Sequence, residues 1–293
     1  AFGYSAIGIA DRNSLAGIVR AHIATKEGGV KFCVGARLDL SDGMSFLAYP
    51  TDRAAYGRLS RLITLGRRRS PKGKCEIHLV DILEWGKGMV FLAVPPSCFI
   101  STQMEIEKVA ESSLGYRFLG NDGDSFIAQL SELSIVFPGN CYLIANNLLR
   151  GDDVVRLAEL FKIAKQCGTP LVAANDVHMH TAARRPLADV VTCIREKCTL
   201  DDAGFRLSAN SERRLKTPRE MALLFRNYPD AIARTVEIAE RCCFSLDELC
   251  YEYPDEVAPD GRPPQAVLED LTWEGAKWRY PGGVPDRVGA QLK

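Results

Sequence analysis

Short apolar runs alternating with amphipathic stretches set the rhythm of the first two-thirds of this chain. Ile7–Ala10 reads as a short strand. Leu15, Ile18, Val19 and Ile23 then recur at helical spacing behind Asn13 or Ser14 as N-cap, and Gly28-Gly29 stops that helix. Val30–Leu40 and Met44–Tyr49 predict two strands joined by a Ser41-Asp42-Gly43 turn. Thr51 is the expected cap of a helix carrying Tyr56, Leu59, Leu62 and Ile63. Met89–Val94 is a continuous apolar strand halted by Pro95-Pro96. A helix over 102–113 and a strand over 116–119 are expected next. Asp152 is the expected cap of an amphipathic helix with Val154, Val155, Leu157, Ala158, Phe161 and Ile163, closed by Gly168 at C′, and Pro170–Ala174 is again strand. Repeated strand–helix units with apolar strands imply a parallel sheet covered by helices, and their number favours a βα barrel over an open sheet.

From about Thr181 strand signals stop and helical patterns take over. Helices are expected over Leu187–Cys198, Pro218–Asn227 and Pro229–Cys242, the last with Ile232, Val236, Ile238 and Ala239 along one face. Tyr251–Pro264 is rich in Pro, Asp and Glu and reads as an extended connector. A final helix starts near Pro264 and breaks at Gly282-Gly283. The change of texture places a domain boundary at 197/198. Ala1 precedes a strand without an initiator Met, and the stretch before Lys293 reads as a helix beginning, so the chain is expected to be a piece of something longer.

Composition adds exclusions. The 293 residues are 46% hydrophobic and 25% charged, ordinary globular values that permit a sizeable core. Formal net charge is zero, so no whole-chain field favours nucleic acid and any such contact has to be local. Two local basic clusters exist. One is Gly66-Arg67-Arg68-Arg69-Ser70-Pro71-Lys72-Gly73-Lys74, expected in a loop. The other is Arg213, Arg214, Lys216 and Arg219 beside a helix start at Pro218. Each reads either as solvated surface or as a phosphate-contacting cluster. Ten cysteines without a C-x-x-C pair read as reduced, mostly buried thiols of a cytoplasmic protein. No signal peptide or membrane-length apolar run is evident, so no membrane role is expected.

Asn175-Asp176-Val177-His178 follows the last apolar strand. An Asp-x-His pair at a strand end puts a carboxylate and an imidazole on one side of the backbone. That suits a hydrolytic metal centre at the carboxyl end of a barrel. A divalent ion needs four to six ligands, and the chain has only four His, at 22, 78, 178 and 180. The pair therefore stands either as part of a metal site or as a structural pair.

Taken together these segments resemble a known family. Gly8-Ile9-Ala10-Asp11-Arg12-Asn13-Ser14-Leu15-Ala16-Gly17, Val34-Gly35-Ala36-Arg37-Leu38 and Asn175-Asp176-Val177-His178 resemble the second, third and last motifs of the PHP (polymerase and histidinol phosphatase) domain. The stretch from Leu207 to Lys216, Glu220–Phe225 and Glu237–Cys242 resemble the join between PHP and the polymerase core in bacterial family C polymerases. Tyr49–Leu59, Phe244–Leu249 and Tyr251–Pro254 are similar to the error-prone, damage-inducible branch. The resemblance covers essentially the whole chain. It implies a PHP-type distorted βα (TIM-like) barrel over 1–197, lacking its first strand and motif, and a mainly helical start of the polymerase core over 198–293.

The departures from that pattern carry the chemistry. Arg12 stands where metal-binding PHP domains have a His, Ala36 where they have a Glu ligand, and Ser45 near another expected His. Cys98, Asp176 and His178 fall at or near ligand positions. The resemblance thus implies a PHP fold without its metal, in which Arg12 pairs with Asp176 or Asp11. It implies a parent enzyme that adds dNTPs to a primer end on damaged template with Mg²⁺, using palm carboxylates beyond this region. DNA primer-template, the sliding clamp and other mutagenesis proteins are the implied partners, and Arg213, Arg214 and Lys216 the expected phosphate contacts. No catalytic residue and no bound cofactor are expected within this stretch, which should not polymerise alone. The competing readings are a metal-dependent phosphoesterase using Cys98, Asp176 and His178, and a non-catalytic interaction module.

Overall fold

The computed structural model describes residues 2–96, 121–250 and 261–292. The chain divides into two compact units, Ala1–Glu248 and Leu249–Lys293. Six strands of the first unit, β1 (Ala6–Arg12), β2 (Lys31–Asp39), β3 (Ser45–Pro50), β4 (Met89–Val94), β5 (Cys141–Asn146) and β6 (Leu171–Ala174), lie side by side in chain order. Its helices are α1 (Ile18–Gly28), α2 (Arg53–Arg69), α3 (Leu79–Trp85), α4 (Asn121–Val136), α5 (Asp153–Gln166), α6 (Arg185–Glu196), α7 (Leu200–Ala203), α8 (Pro218–Leu224) and α9 (Pro229–Arg241). The expected helix over 102–113, the strand over 116–119, Cys98 and the connector after Tyr251 lie outside the described residues.

The sheet is mixed, which corrects the all-parallel expectation. β1–β2, β4–β5 and β5–β6 are parallel, whereas β3 is antiparallel to both neighbours. The cause is the short β2–β3 link. A parallel crossover takes a dozen or more residues, so a tight turn forces the strand to return. Asp42 makes that turn, its carboxylate accepting from the Met44 amide at 3.1 Å, and Gly43 supplies the positive φ of 92°. The sheet curls into a half-barrel.

Side-chain alternation gives the sheet two apolar faces. Leu38, Phe46, Phe91, Leu143 and Leu171 meet Leu59, Leu62, Ile82, Leu130, Leu133 and Leu160 from the covering helices. Burying each such side chain contributes about 1.5–3 kcal/mol. The other face presents Cys33, Val90, Leu92, Tyr142, Ile144 and Val172, and these receive Ile238 and Cys242. Strands buried on both sides have to be continuously apolar, as β4 and β5 are. α9 is therefore part of the barrel's packing. It lies against β6 and touches β1. Arg241 reaches the Tyr142 hydroxyl at 2.8 Å, and Arg234 donates to the Leu171 carbonyl at 3.1 Å. Phe244 stacks on Tyr56 with ring centroids 4.4 Å apart. α9 and the barrel strands thus lie in one compact unit, which runs to Glu248.

Several local expectations shift by a residue or an element. Asp52, not Thr51, caps α2, accepting from the Ala55 amide at 2.7 Å, while Thr51 donates to the Gly88 carbonyl. At α5 the Asp152 side chain makes no cap, and the buried Asp153 carboxylate instead accepts from the Leu148 and Arg150 amides. The first part of the basic run is helix rather than loop. Arg67–Arg69 form the last turn of α2, where cations favour the helix dipole, and Arg69 grips Asp81 at 2.6 and 2.8 Å. Gly29 and Gly168 end their helices at φ of 64° and 65° as expected. The second unit holds α10 (Pro264–Arg279) and α11 (Asp286–Gln291), with Gly283 at φ 106° in the break between them.

Candidate functional site

The carboxyl ends of β1, β2 and β6 and the start of β3 share one rim of the sheet, the end at which βα barrels carry their functional side chains. Arg12 ends β1 beside Arg37 of β2, its register partner. Two guanidinium groups on adjacent strands repel unless an anion lies between them. Asp39 supplies it: its carboxylate takes Arg37 Nε at 2.6 Å and Arg12 at 3.0 Å. Ser45, in register with Asp39, donates to the same carboxylate at 2.6 Å and accepts from Arg37 at 3.0 Å. Burial pushes the Asp39 carboxyl up, but the Ser45 and Arg37 hydrogen bonds and the Arg12 charge outweigh it and hold the group below the ordinary range. Ala36 is buried on the opposite face, among the core side chains.

Across the rim, Asp176 follows β6 with a positive φ of 41°, a region Asp tolerates better than most residues. Its carboxylate is engaged by the guanidinium of Arg213, and His178 Nε2 lies 3.7 Å away. Arg12 thus pairs with Asp39 rather than with Asp176 or Asp11. The reason is position: Asp39 is adjacent on β2, while Asp11 is committed to the Gly17 amide at 2.8 Å.

The segment carrying Arg213 is fastened to the end of β6. His178 N donates to the Arg213 carbonyl at 2.8 Å and Leu215 N to the Met179 carbonyl at 3.1 Å. The buried Lys216 ammonium bonds to Asn175 Oδ1 at 2.9 Å and Glu212 at 3.1 Å, and Asn175 donates to the Glu212 and Arg214 carbonyls. Tyr4 donates its hydroxyl to the Lys216 carbonyl. Arg214 pairs with Glu220 at 2.7 Å, within the capping box of α8. Of the three expected phosphate contacts, Lys216 is therefore locked inside, Arg214 is tied to a helix cap, and Arg213 alone faces the rim.

The rim is electrically lopsided. Burial, then the charges of Arg195, Arg12 and Arg37, lowers the His178 pKa. Burial, then Arg150, Arg37 and Arg12, brings Arg213 down to about 10. β1 and β6 sit at opposite ends of the strand order, so this mutual influence itself expresses the curl. Arg37, Asp39, Arg150 and Arg195 escape a search for metal ligands. The legible signal for the first two was alternation, because 37 and 39 are the polar positions between Ala36, Leu38 and Leu40.

A divalent cation does not fit the residues present. Arg12 and Ser45 bring a guanidinium and a hydroxyl to the rim, Ala36 points away, and the Asp176 carboxylate already neutralises a guanidinium. Among the described residues no three His, Cys, Asp or Glu side chains converge. The nine described cysteines are free thiols. No helix among the described residues is long and apolar enough to cross a membrane.

No family model matches the chain. It is 44% identical over its whole length to the error-prone DNA polymerase of Caulobacter vibrioides and spans 25% of that protein. It is 42% identical over 99% of its length to error-prone DNA polymerase 1 of Agrobacterium fabrum, and 43% identical over 99% to error-prone DNA polymerase 2 of Rhizobium meliloti. The chain spans about a quarter of the length of these curated relatives, matching their N-terminal region. Among solved structures, a protein from Bifidobacterium adolescentis provisionally described as a metal-dependent phosphoesterase aligns over 59% of this chain and 77% of its own, at 15% identity and a TM-score of 0.38. An amidohydrolase from Chromobacterium violaceum aligns over 59% of this chain and 77% of its own, at 11% identity and 0.39. Overlap at that level leaves the fold resting on the chain's own topology.

Proposed function

We propose that this chain is the N-terminal part of an error-prone family C DNA polymerase, and that its barrel serves there as a scaffold whose metal pocket has been closed by charge. The observation that carries the reading is the 41–44% identity, over essentially the whole chain, to several proteins named error-prone DNA polymerase. The rim supports the second half: arginines and Asp39 occupy what a hydrolytic PHP domain would give to ligands. The parent protein would add dNTPs to a primer end across damaged template, in the cytoplasm, with Mg²⁺ held by carboxylates outside this stretch. DNA, dNTPs, the sliding clamp and other mutagenesis proteins are its partners in this reading. The stretch described here contributes no group to nucleotidyl transfer and does not polymerise alone.

The test is primer extension over a lesion-bearing template by the parent protein. Extension is expected from the parent protein and absent from residues 1–293, and Asp176→Asn should leave the rate of single-nucleotide addition unchanged. Phosphoesterase activity of residues 1–293 that disappears in Asp176→Asn would replace the scaffold reading with a hydrolytic one.

A further inference from the structure

α2 and the turn after it carry a charge asymmetry that local structure does not account for. Between Asp52 and Glu76 stand eight Arg and Lys and no Asp or Glu, in a chain of zero formal net charge, so the remainder is correspondingly acidic. Among the described residues only Arg69 of the eight meets a carboxylate, that of Asp81. Arg58 and Arg67 donate to backbone carbonyls, of Lys87 at 2.7 Å and of Asn13 at 2.9 Å. The helix dipole favours Arg67–Arg69 in the last turn. Arg53 stands in the first turn, where a cation is disfavoured and no acidic residue offsets it.

Helix geometry aligns the charges left over. α2 buries Ala55, Leu59, Leu62, Ile63 and Gly66. At about 100° per residue, Arg53, Arg61 and Arg68 fall within about 80° of one another on the opposite side, about 12 and 10 Å apart along the axis. All three are exposed, and only the small Gly57, Ser60 and Thr64 lie between them, with open space around Gly57. The Arg61 guanidinium lies over the Trp85 ring, 5.2 Å from its centroid, which limits its freedom. The turn beyond the helix is closed by the Lys74 amide on the Pro71 carbonyl at 3.0 Å, with Gly73 at φ 90°. It leaves Lys72 and Lys74 exposed, and the Glu76 amide ties it to the Gly66 carbonyl at 3.0 Å.

We propose that this face of α2, with the turn that follows it, is a docking surface for the phosphate backbone of DNA, engaged by Arg53, Arg61, Arg68, Lys72 and Lys74. Guanidinium forks fit phosphate oxygens, and cations spaced along a rigid helix address a regularly charged polymer rather than a single anion. A membrane surface would call for large apolar side chains beside the cations, and α2 exposes none. The contacts are to phosphate, so no base preference is expected. The choice of DNA among polyanions rests on the polymerase reading; the cationic face does not.

The test is fluorescence anisotropy of a labelled duplex oligonucleotide titrated with the chain over a range of NaCl concentrations. Binding that weakens steeply with salt is expected. Each phosphate neutralised contributes about 0.9 to the slope of log K against log salt. Arg53→Gln, Arg61→Gln and Arg68→Gln combined should therefore reduce that slope by about 2–3 and weaken binding at least about tenfold at low salt. Arg53→Gln with Arg68→Gln leaves the Arg61–Trp85 contact intact and should reduce it by about 2. A control with the same charge removed elsewhere, Lys162→Gln, Arg226→Gln and Lys277→Gln combined, should keep the slope of the parent chain. All six side chains are exposed, and circular dichroism melts confirm that each variant is folded. No salt-dependent binding, an equal loss in the control, or tighter binding to phosphatidylserine vesicles than to DNA overturns the proposal. The assay needs no primer extension. A parent protein that fails to polymerise would refute the polymerase reading and leave this result standing, and a chain that ignores DNA would refute this surface alone.

Discussion

Lys216 offers the sharpest separation between a side chain that looks like a phosphate contact and one that holds the fold. Its side chain is 2% exposed, and its ammonium bonds to Asn175 Oδ1 at 2.9 Å, to the Glu212 carboxylate at 3.1 Å and to the Glu212 carbonyl. Lys216→Met keeps the stem and removes the charge. It leaves Glu212, itself only 21% exposed, without its counter-ion and Asn175 Oδ1 without its donor. Removing one member of a buried pair costs about 3–5 kcal/mol. In a unit of this size each kcal/mol moves the melting temperature by about 2–4 °C, so a drop of roughly 10 °C is expected in a melt followed by circular dichroism. Arg214→Met is the control. Its partner Glu220 is 40% exposed, and such a pair contributes about 0–1 kcal/mol. A Lys216→Met melt within about 2 °C of the parent chain would show that the ammonium does not hold the fold. If DNA affinity fell in that same variant, Lys216 would be restored as a phosphate contact.

The Asp81–Arg69 pair makes a pH prediction. Burial pushes the Asp81 carboxyl up, but the Arg69 hydrogen bonds and the His78 amide outweigh it and hold the group below the ordinary range. A depressed folded pKa means that the pair's stabilisation is complete above the unfolded carboxylate value of about 3.9 and is lost as pH falls through the lower, folded one. Asp81→Asn should therefore cost about 2–3 kcal/mol in urea denaturation at pH 7, with the gap from the parent chain closing below about pH 4. Gly66→Ala should destabilise by about 1–3 kcal/mol by the same assay, since the added Cβ would lie 2.7 Å from Ile77 Cγ1 and 2.8 Å from Cys75 Sγ. A stable variant would mean that α2 can shift away from Ile77. Residues 1–248 should give one cooperative melt, whereas residues 1–197 should bind a hydrophobic dye and resist concentration, because Val90, Leu92, Tyr142 and Val172 lose the cover of α9. A cooperative melt from the shorter piece would place the boundary back at 197/198.

Much of this architecture could be read in the hydropathy pattern, and the omissions have physical causes. β2, β3, β4, α5 and β6 announce themselves by strong periodicity and by Gly or Asp punctuation. α3 has seven residues, too few for a helical period to show, and α4 opens on a polar Asn-Asp-Gly-Asp stretch. β5 is six residues, the first five an unbroken apolar run, which periodicity cannot separate from buried helix. The mixed sheet was implicit in the Ser41–Gly43 turn but lost to the strand–helix rhythm around it. The unsuitability of Arg12, Ala36 and Ser45 as metal ligands was legible residue by residue. Their replacement partners were not, because Arg12–Asp39 and Arg213–Asp176 join residues 27 and 37 positions apart, and only the β1–β2 pairing and the fastening of the Arg213 segment to the end of β6 bring them together.

The most direct test of the closed pocket is metal content. The purified chain, loaded with excess Zn²⁺ or Mn²⁺ and desalted, would be measured by plasma mass spectrometry beside Asp176→Asn. Neither protein is expected to retain stoichiometric metal. One metal ion per chain in the parent, lost in Asp176→Asn, would show that Asp176 still serves a cation and that the arginine closure described here is wrong.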